Sequence, residues 1–392
     1  MLTSLALIFL LGLILGSAFN RLKLPSLLGM LLTGMILGPY ALNLLEDSIL
    51  SISADLRQLA LVIILTRAGL ALNIDDLKKV GRPAILMCFV PAVFEIMGVM
   101  LIAPKFLGIS ILDAAIMGTV VAAVSPAVIV PRMLKLIEEG YSKKNSIPQL
   151  IMAGASVDDI FVIVLFTSFT ALASGGNFTL VTLIQIPVSI ILGVILGMAS
   201  ALGLITLFKR IHMRDSAKTI VLLSISFLFI ALEKNLEDIV PISGLLAVMS
   251  MGATLLQGYS VVAKRLSSKF SKLWVGAEIL LFVLVGATVD IKYAMSAGIL
   301  ALLVILGAML FRMLGVFICL LKTKLSMKER LFCMIAYCPK ATVQAAIGSI
   351  PLSMGLACGQ IVLTVAVLAI LITAPLGALG IDLSYKKFLK ID

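Results

Sequence analysis

The chain has 392 residues, of which 61% are hydrophobic and only 13% charged, and its mean hydropathy is +1.20. A soluble protein of this length could not bury so much apolar surface, so the composition predicts a polytopic membrane protein. The formal net charge of +11 does not indicate a nucleic-acid partner, because the basic residues lie in short loops between apolar runs. The sequence has no GxxxxGK[ST] loop, which argues against an ATP-driven motor.

Thirteen apolar runs predict about 13 transmembrane helices in an all-α fold. Prolines and glycines occur inside many of these runs, as they do in membrane helices generally. In chain order the runs cover residues 2–19, 26–44, 58–74, 83–103, 110–131, 148–173, 179–208, 219–232, 239–257, 273–289, 293–321, 331–350 and 356–380.

The basic residues predict how these helices are oriented. Of the 31 lysines and arginines, 24 would fall on one side of the membrane and three lie inside apolar runs. Only four, Arg57, Lys105, Lys234 and Lys292, would fall on the opposite side. By the positive-inside rule, the N-terminus would be outside and the C-terminus cytoplasmic.

The fourth and eleventh runs contain related segments. Residues 94–99 read FEIMGV and residues 311–316 read FRMLGV, at an offset of 217 residues. At the same offset, residues 69–73 (GLALN) correspond to residues 286–290 (GATVD). Two matches in one register indicate an internal duplication.

The duplication predicts two six-helix repeats within a single transmembrane domain of residues 1–392. Repeat one would cover residues 1–174 and repeat two residues 216–380, with a linker helix at 179–208. Equivalent helices are separated by seven crossings, an odd number, so the second repeat would be inverted. Inverted repeats are typical of secondary transporters, whose substrate sites lie near the membrane midplane where the repeats meet.

The fifth and twelfth runs each have a proline near mid-span, Pro126 and Pro339. Proline removes a backbone donor, and in a membrane the freed carbonyls need other partners, so such breaks persist where they line a cavity. We therefore expect two crossed broken helices, with Asp158, Lys340 and the neighbouring Thr342 balancing the partial charges at their ends. A simple proline kink is the alternative interpretation, mainly for the fifth run.

Asp158 and Asp159 lie together in the middle of the sixth run. Because a carboxylate at bilayer depth costs on the order of 2.5–3.5 kcal/mol, the pair predicts that cations accompany it: metal ions, protons or protein bases. Adjacent residues of a helix point about 100° apart, so one aspartate would bind an ion while the other pairs with a base or a helix end. A purely structural polar contact is the alternative.

The predicted ion ligand is Asp159, assisted by Asp158 and by the hydroxyls of Ser156 and Ser125. These oxygens suit a hard monovalent cation such as Na⁺, and a carboxylate that binds either Na⁺ or a proton couples the two ions by competition. Glu95 and Arg312 occupy equivalent positions in the two repeats, which predicts a buried ion pair with a structural or gating role. Direct ion binding by Glu95 is the alternative.

These motifs resemble those of the monovalent cation:proton antiporter superfamily, in particular the sodium/proton antiporters with paired aspartates. The resemblance extends over nearly the whole chain. The segments that carry it are LLTGMILGP at residues 31–39, SPAVIVP at 125–131, ASVDD at 155–159 and PKATVQAAIG at 339–348.

The resemblance implies a homodimer of thirteen-helix protomers. Spans within residues 82–174 and 293–380 would form a mobile ion-carrying core, and the remaining repeat helices would form the dimer scaffold. It also implies that Asp159 binds the ion and that Asp158 pairs with a lysine of the eleventh span. This chain departs from that pattern, because Arg312 is the basic residue there. Arginine does not readily release its proton, which favours exchange of one proton per sodium ion over exchange of two.

The expected activity is exchange of Na⁺, and of Li⁺, for H⁺ by alternating access, in an integral protein of a bacterial inner membrane. We expect no cofactor beyond the transported ions, no nucleic-acid partner and no enzymatic activity. A K⁺/H⁺ antiporter and a sodium-coupled symporter of organic solutes remain alternatives, since both share these features. An intramembrane aspartyl protease is excluded, because it needs aspartates on separate spans with one in a GxGD motif.

Overall fold

The computed structural model describes residues 1–72, 81–142, 145–173, 180–236, 240 and 242–391, without the side chains of residues 156, 160, 180–187 and 297. The described residues are almost entirely helical. The first nine helices are α1 (Leu2–Arg21), α2 (Ser26–Leu37), α3 (Asp47–Leu50), α4 (Ser53–Ala71), α5 (Arg82–Met87), α6 (Val90–Leu107), α7 (Ile111–Ala122), α8 (Pro126–Glu138) and α9 (Ile147–Ala173). The others are α10 (Leu180–Arg210), α11 (Asp215–Leu236), α12 (Gly244–Gly258), α13 (Ser260–Ala287), α14 (Ile291–Cys319), α15 (Met327–Ala336), α16 (Thr342–Ile347), α17 (Ile350–Ser353) and α18 (Gly359–Phe388).

The helices are those of a membrane protein. Within the described residues, nine helical segments are long and apolar enough to cross a bilayer, with mean hydropathies of 1.8 to 2.5. Helices α2, α4 and α12 are not among them, although each overlaps a predicted run. The predicted all-helical membrane fold is confirmed, and the number of thirteen spans stays a prediction.

The chain forms two compact units. One comprises Met1–Ala54, Asp75–Ser174 and Ile279–Asp392, and the other comprises Asp55–Ile74 and Gly175–Glu278. All the site residues predicted from the sequence belong to the first unit, so the site is described within that unit alone. The predicted boundaries of the repeats, the linker helix and the mobile core stay predictions.

Side-chain caps determine where two helices of the site begin. Asp290 caps α14 by accepting a hydrogen bond from the backbone N–H of Tyr293 at 3.1 Å. Ser326 and Glu329 form a capping box at the start of α15, in which each side chain accepts from the backbone N–H of the other residue. Such caps bind N–H groups that have no partner inside the helix. They fix the start of α14, which carries Arg312, and the start of α15, which ends three residues before Pro339.

Helices α6 and α14 pack against each other through equivalent residues of the two predicted repeats. Gly98 of α6 lies against Phe311, where an added Cβ would come within 2.7 Å of the ring. Gly315 of α14 lies against Phe94, where an added Cβ would come within 3.1 Å of the Phe94 Cβ. Gly98 and Gly315 are equivalent positions of the two predicted repeats, 217 residues apart, and so are Phe94 and Phe311. Each glycine therefore contacts the equivalent phenylalanine of the other repeat. An inverted duplication produces this reciprocal packing.

Candidate ion-binding site

The first break in the fold separates α7 from α8. Helix α7 ends at Ala122 and α8 begins at Pro126, and Ser125 between them is extended, with φ −93° and ψ 107°. Proline has no N–H, so Pro126 cannot donate the helical hydrogen bond to the carbonyl of Ala122, four residues earlier. The helix is therefore interrupted and not merely kinked, and the predicted broken helix is confirmed.

The second break lies between Ala336, the last residue of α15, and Thr342, the first residue of α16. The two breaks contact each other directly, because the backbone N–H of Ser125 donates to the carbonyl of Pro339 at 2.8 Å. This bond confirms that the two broken helices cross. It places the buried Lys340 next to the first break, and the buried Thr342 follows two residues later at the start of α16.

Helix α18 supports the second break. The Oγ1 of Thr373 accepts a hydrogen bond from the backbone N–H of Lys340 at 2.9 Å and donates to the carbonyl of Ala369 at 2.7 Å. One turn further along α18, Gly377 lies directly against the ring of Pro339, in a space too small for a Cβ. A buried N–H without a partner is costly, so Thr373 stabilises the non-helical backbone at this point.

Arg312 lies at the centre of the site and is fully buried. Its Nη1 donates to Glu95 Oε2 at 2.8 Å and also to the carbonyl of Ala122. Its Nη2 donates to Asp158 Oδ2 at 2.8 Å, and its Nε donates to the carbonyl of Tyr337 at 2.6 Å. The planar guanidinium can hold several acceptors at once. It thus joins two carboxylates to the carbonyl ends of both broken helices.

Lys340 is the second buried base of the site. Its Nζ donates to Glu95 Oε2 at 2.5 Å and to the carbonyl of Ala122 at 3.3 Å. The carbonyl of Ala122, which Pro126 deprives of its helical donor, therefore receives hydrogen bonds from two cations. The structure brings Glu95 and Arg312 together, and it adds Lys340 to that pair.

Asp158 is fully buried and bound on one oxygen. Its Oδ2 accepts from the backbone N–H of Val124 at 3.0 Å and from Arg312 Nη2. The sequence left open whether this carboxylate pairs with a base or with a helix end, and in the structure it contacts both. Arg312 thus occupies the position at Asp158 where the resemblance implied a lysine.

Asp159 lies in a different environment from its neighbour. It is close enough to Asp158, Arg312 and Lys340 to interact with their charges. Its Oδ1 is buried and has no hydrogen-bond partner among the described residues, and the same is true of Asp158 Oδ1 and Ser125 Oγ. The side chain of Ser156, the remaining predicted ligand, lies outside the described part of the structure.

Sequence reasoning did not identify Gln344, which contacts the first break from α16. Its Nε2 donates to the carbonyls of Val121 and Ala123 at 3.1 Å and 2.8 Å. Thr373 was also missed. The sequence signal for Gln344 and for Thr373 was a polar side chain inside an apolar run. This signal is weak, because polar side chains in membrane helices can bond the backbone nearby or a neighbouring helix without any role in a site.

The fold and the site agree with a known transporter family. The family described as "Sodium/hydrogen exchanger, transmembrane" matches residues 5–383 of the chain. The chain belongs to the sodium/hydrogen exchanger family. This membership confirms the resemblance found in the sequence motifs, and it makes the chain an integral membrane protein of a transporter family.

Several curated relatives are similar to the chain over most of its length. Human Sodium/hydrogen exchanger 9B2 is 34% identical over 375 residues, which cover 92% of this chain and 69% of that protein. Human Sodium/hydrogen exchanger 9B1 is 31% identical over 375 residues, which cover 91% of this chain and 71% of that protein.

A solved structure shares the fold. The sodium proton antiporter MjNhaP1 from Methanocaldococcus jannaschii, at pH 8, has a TM-score of 0.85 and is 22% identical in sequence. The match covers 98% of this chain and 97% of that chain. At this identity the likeness establishes the fold, while the roles of individual residues depend on the geometry of this chain.

Proposed function

We propose that this protein exchanges Na⁺ or Li⁺ for H⁺ across a membrane by alternating access, with one metal ion exchanged for one proton. The observation that carries the proposal is the charge balance of the buried cluster. Glu95 and Asp158 supply two negative charges, and Arg312 and Lys340 supply two positive charges. Asp159 is the carboxylate beyond this balance. A buried carboxylate without its own base requires a proton or a metal cation.

The proposed ion ligands are oxygen atoms that have no donor in the structure. Asp159 Oδ1, Asp158 Oδ1 and Ser125 Oγ are buried and without hydrogen-bond partners among the described residues. Hard cations take oxygen ligands, so a dehydrated Na⁺ or Li⁺ would satisfy these atoms together with Ser156, break carbonyls and water. A proton on Asp159 would exclude the metal ion, and the metal ion would exclude the proton.

The one-for-one ratio depends on Arg312. A guanidinium stays protonated at any physiological pH, and the one here donates directly to Asp158. Asp158 therefore stays paired with Arg312 while the site loads and unloads, and only Asp159 alternates between a proton and a metal ion. Lys340 remains with Glu95 and balances its charge. The cycle then moves no net charge across the membrane.

We extend the proposal to the setting of the protein. The excess of basic residues on one side supports an outside N-terminus and a cytoplasmic C-terminus, as in a bacterial inner membrane. Spans within 82–174 and 293–380 would carry the ion as a mobile core, within a homodimer. The dimer and the mobile core follow from the resemblance, and a mass measurement of the purified protein in nanodiscs tests the dimer.

Two other activities would suit a similar site. A K⁺/H⁺ antiporter has the same chemical requirements, but the similar proteins are named for sodium, which favours Na⁺. A sodium-coupled solute symporter would need a cavity for an organic substrate as well. Proton flux driven by Na⁺, Li⁺ and K⁺ in turn, with no organic solute present, separates the three activities.

The direct test of the site is Asp159→Asn. We expect this variant to fold, because it removes a charge that has no base of its own among the described residues, and to lose cation-driven proton flux in proteoliposomes containing a pH-sensitive dye. Asp47→Asn, which changes an exposed carboxylate on α3, is the matched control and should transport like the wild type. Undiminished flux in Asp159→Asn would refute the assignment of the ion-binding residue.

A further inference from the structure

Gln344 joins the second broken helix to the backbone of the first. It lies in α16 and is 1% exposed. Its amide nitrogen donates to the carbonyls of Val121 and Ala123 at 3.1 Å and 2.8 Å. Because both neighbours are carbonyl oxygens, the amide nitrogen must face them and the orientation of the side chain is fixed. Its own oxygen, Oε1, is buried without a hydrogen-bond partner among the described residues.

The carbonyls that Gln344 contacts belong to the end of α7 and to the break itself, where helical donors are missing. Their middle neighbour, the carbonyl of Ala122, is bound by the cations of Arg312 and Lys340. A carbonyl in contact with two fixed cations repels a third. The carbonyls of Val121 and Ala123 differ, because the donor they share is a neutral amide.

A carbonyl oxygen has two lone pairs, so each carbonyl held by Gln344 keeps one for another ligand. Only a short stretch of backbone separates these carbonyls from the predicted ligands. Val124, the residue after Ala123, donates its N–H to Asp158, and the next residue is Ser125. These carbonyls therefore lie in the segment that also presents Ser125 and contacts Asp158. Gln344 determines how their oxygens are directed.

We propose that Gln344 is a positioning residue of the ion site, which fixes the carbonyls of Val121 and Ala123 and thereby sets the preference between Na⁺ and Li⁺. This inference rests on the proposed function. Na⁺ and Li⁺ differ in radius, and discrimination between ions of equal charge depends on how closely and how rigidly the surrounding oxygens are held. Without the amide, the two carbonyl oxygens can shift to fit either the smaller Li⁺ or the larger Na⁺. The site then discriminates less between the two ions.

The test compares Gln344→Met with the wild type in proteoliposomes. Methionine has a similar length but no donor, so it removes both hydrogen bonds. Gln344→Asn keeps the amide on a side chain one methylene shorter, and it serves as a second variant if the methionine variant does not fold. Ser349→Ala is the matched control, because Ser349 is buried in the same half of the broken span and its hydroxyl has no partner among the described residues. The apparent KM values for Na⁺ and Li⁺ and the maximal rates are measured at one pH.

We expect the ratio of the two KM values to move towards one by about 3- to 10-fold in Gln344→Met, a change of the size that one ordinary hydrogen bond contributes. The ratio should change in the same direction in Gln344→Asn and stay at the wild-type value in Ser349→Ala. An unchanged ratio in a folded Gln344 variant, whatever its maximal rate, overturns the inference and shows a structural role alone. Wild-type protein without Na⁺- or Li⁺-driven proton flux would instead overturn the proposed function.

Discussion

The two helix breaks satisfy their freed backbone groups by different means. At the first break, between Ala122 and Pro126, the backbone is bound by four side chains from α9, α14, the second break and α16: Asp158, Arg312, Lys340 and Gln344. At the second break, the N–H of Lys340 is bound by the hydroxyl of Thr373 and the carbonyl of Pro339 by the backbone of the first break, while the carbonyl of Tyr337 is bound by Arg312. The first break is thus bound by three charged side chains and one amide, while the second is bound by one charged side chain and two neutral groups.

Arg312→Met should have the largest effect, because Arg312 is the residue that both breaks share. The variant leaves Asp158 without its cation and the carbonyl of Tyr337 without its side-chain donor, while Glu95 and the carbonyl of Ala122 keep Lys340 alone. Removing one partner from a buried ion pair costs about 3–5 kcal/mol, so we expect a severe loss of thermal stability in detergent.

Arg210→Met changes an exposed arginine at the end of α10 and is the control for that measurement. It should unfold at the wild-type temperature. An Arg312→Met protein as stable as this control would show that the cluster does not hold the breaks together.

Asp158→Asn should affect the first break alone. The amide can still accept one hydrogen bond, but the charge that faces Arg312 is lost while Glu95 remains as its counter-ion. Hydrogen bonds to charged groups contribute about 1.5–3 kcal/mol, so we expect a loss of about 2 kcal/mol in the free energy of unfolding. Asp159→Asn, its neighbour, should lose no stability. Equal losses in the two variants, measured by thermal unfolding, would contradict the different roles given to the two aspartates.

Thr373→Val should affect the second break alone and have the smallest effect. Valine has nearly the shape of threonine but leaves the buried N–H of Lys340 without an acceptor, which costs about 1–2 kcal/mol. Thr364→Val, elsewhere on α18, removes a buried hydroxyl whose one hydrogen bond among the described residues stays within its own helix, and it should be closer to neutral. We expect Thr373→Val to retain its KM for Na⁺, since the proposed ligands lie on α9 and at the first break. A large increase in KM would mean that the second break also binds the ion.

The sequence predicted the breaks and the charged residues because each has a direct physical cost. Pro126 and Pro339 remove donors, and Asp158, Glu95, Arg312 and Lys340 are too costly in an apolar run to lack partners. The pairing of Glu95 with Arg312 followed from their equivalent positions in the two repeats, and the structure contains that pair. The other three contacts of Arg312 could not be predicted, since they depend on how several helices are placed in space. Gln344 was not predicted, because burying an uncharged amide without a partner costs less free energy than burying an unpaired charge.

The ends of the helices were also less predictable than their centres. The third predicted run began at residue 58, whereas α4 begins at Ser53. The difference arises because the first turns of α4 contain Asp55 and Arg57, which interrupt an apolar run but not a helix. Part of that predicted run, from residue 73 onward, lies outside the described residues.

The most direct test of the central claim, that Asp159 alone exchanges a proton for a metal ion, is the voltage dependence of exchange. Purified protein in proteoliposomes would be given a Na⁺ gradient, with the membrane potential set by K⁺ and valinomycin. If one proton moves per sodium ion, no net charge crosses and we predict the same rate and the same final pH gradient at every potential. Exchange driven by the potential alone would contradict the claim, because a second proton would then have to move with each cycle.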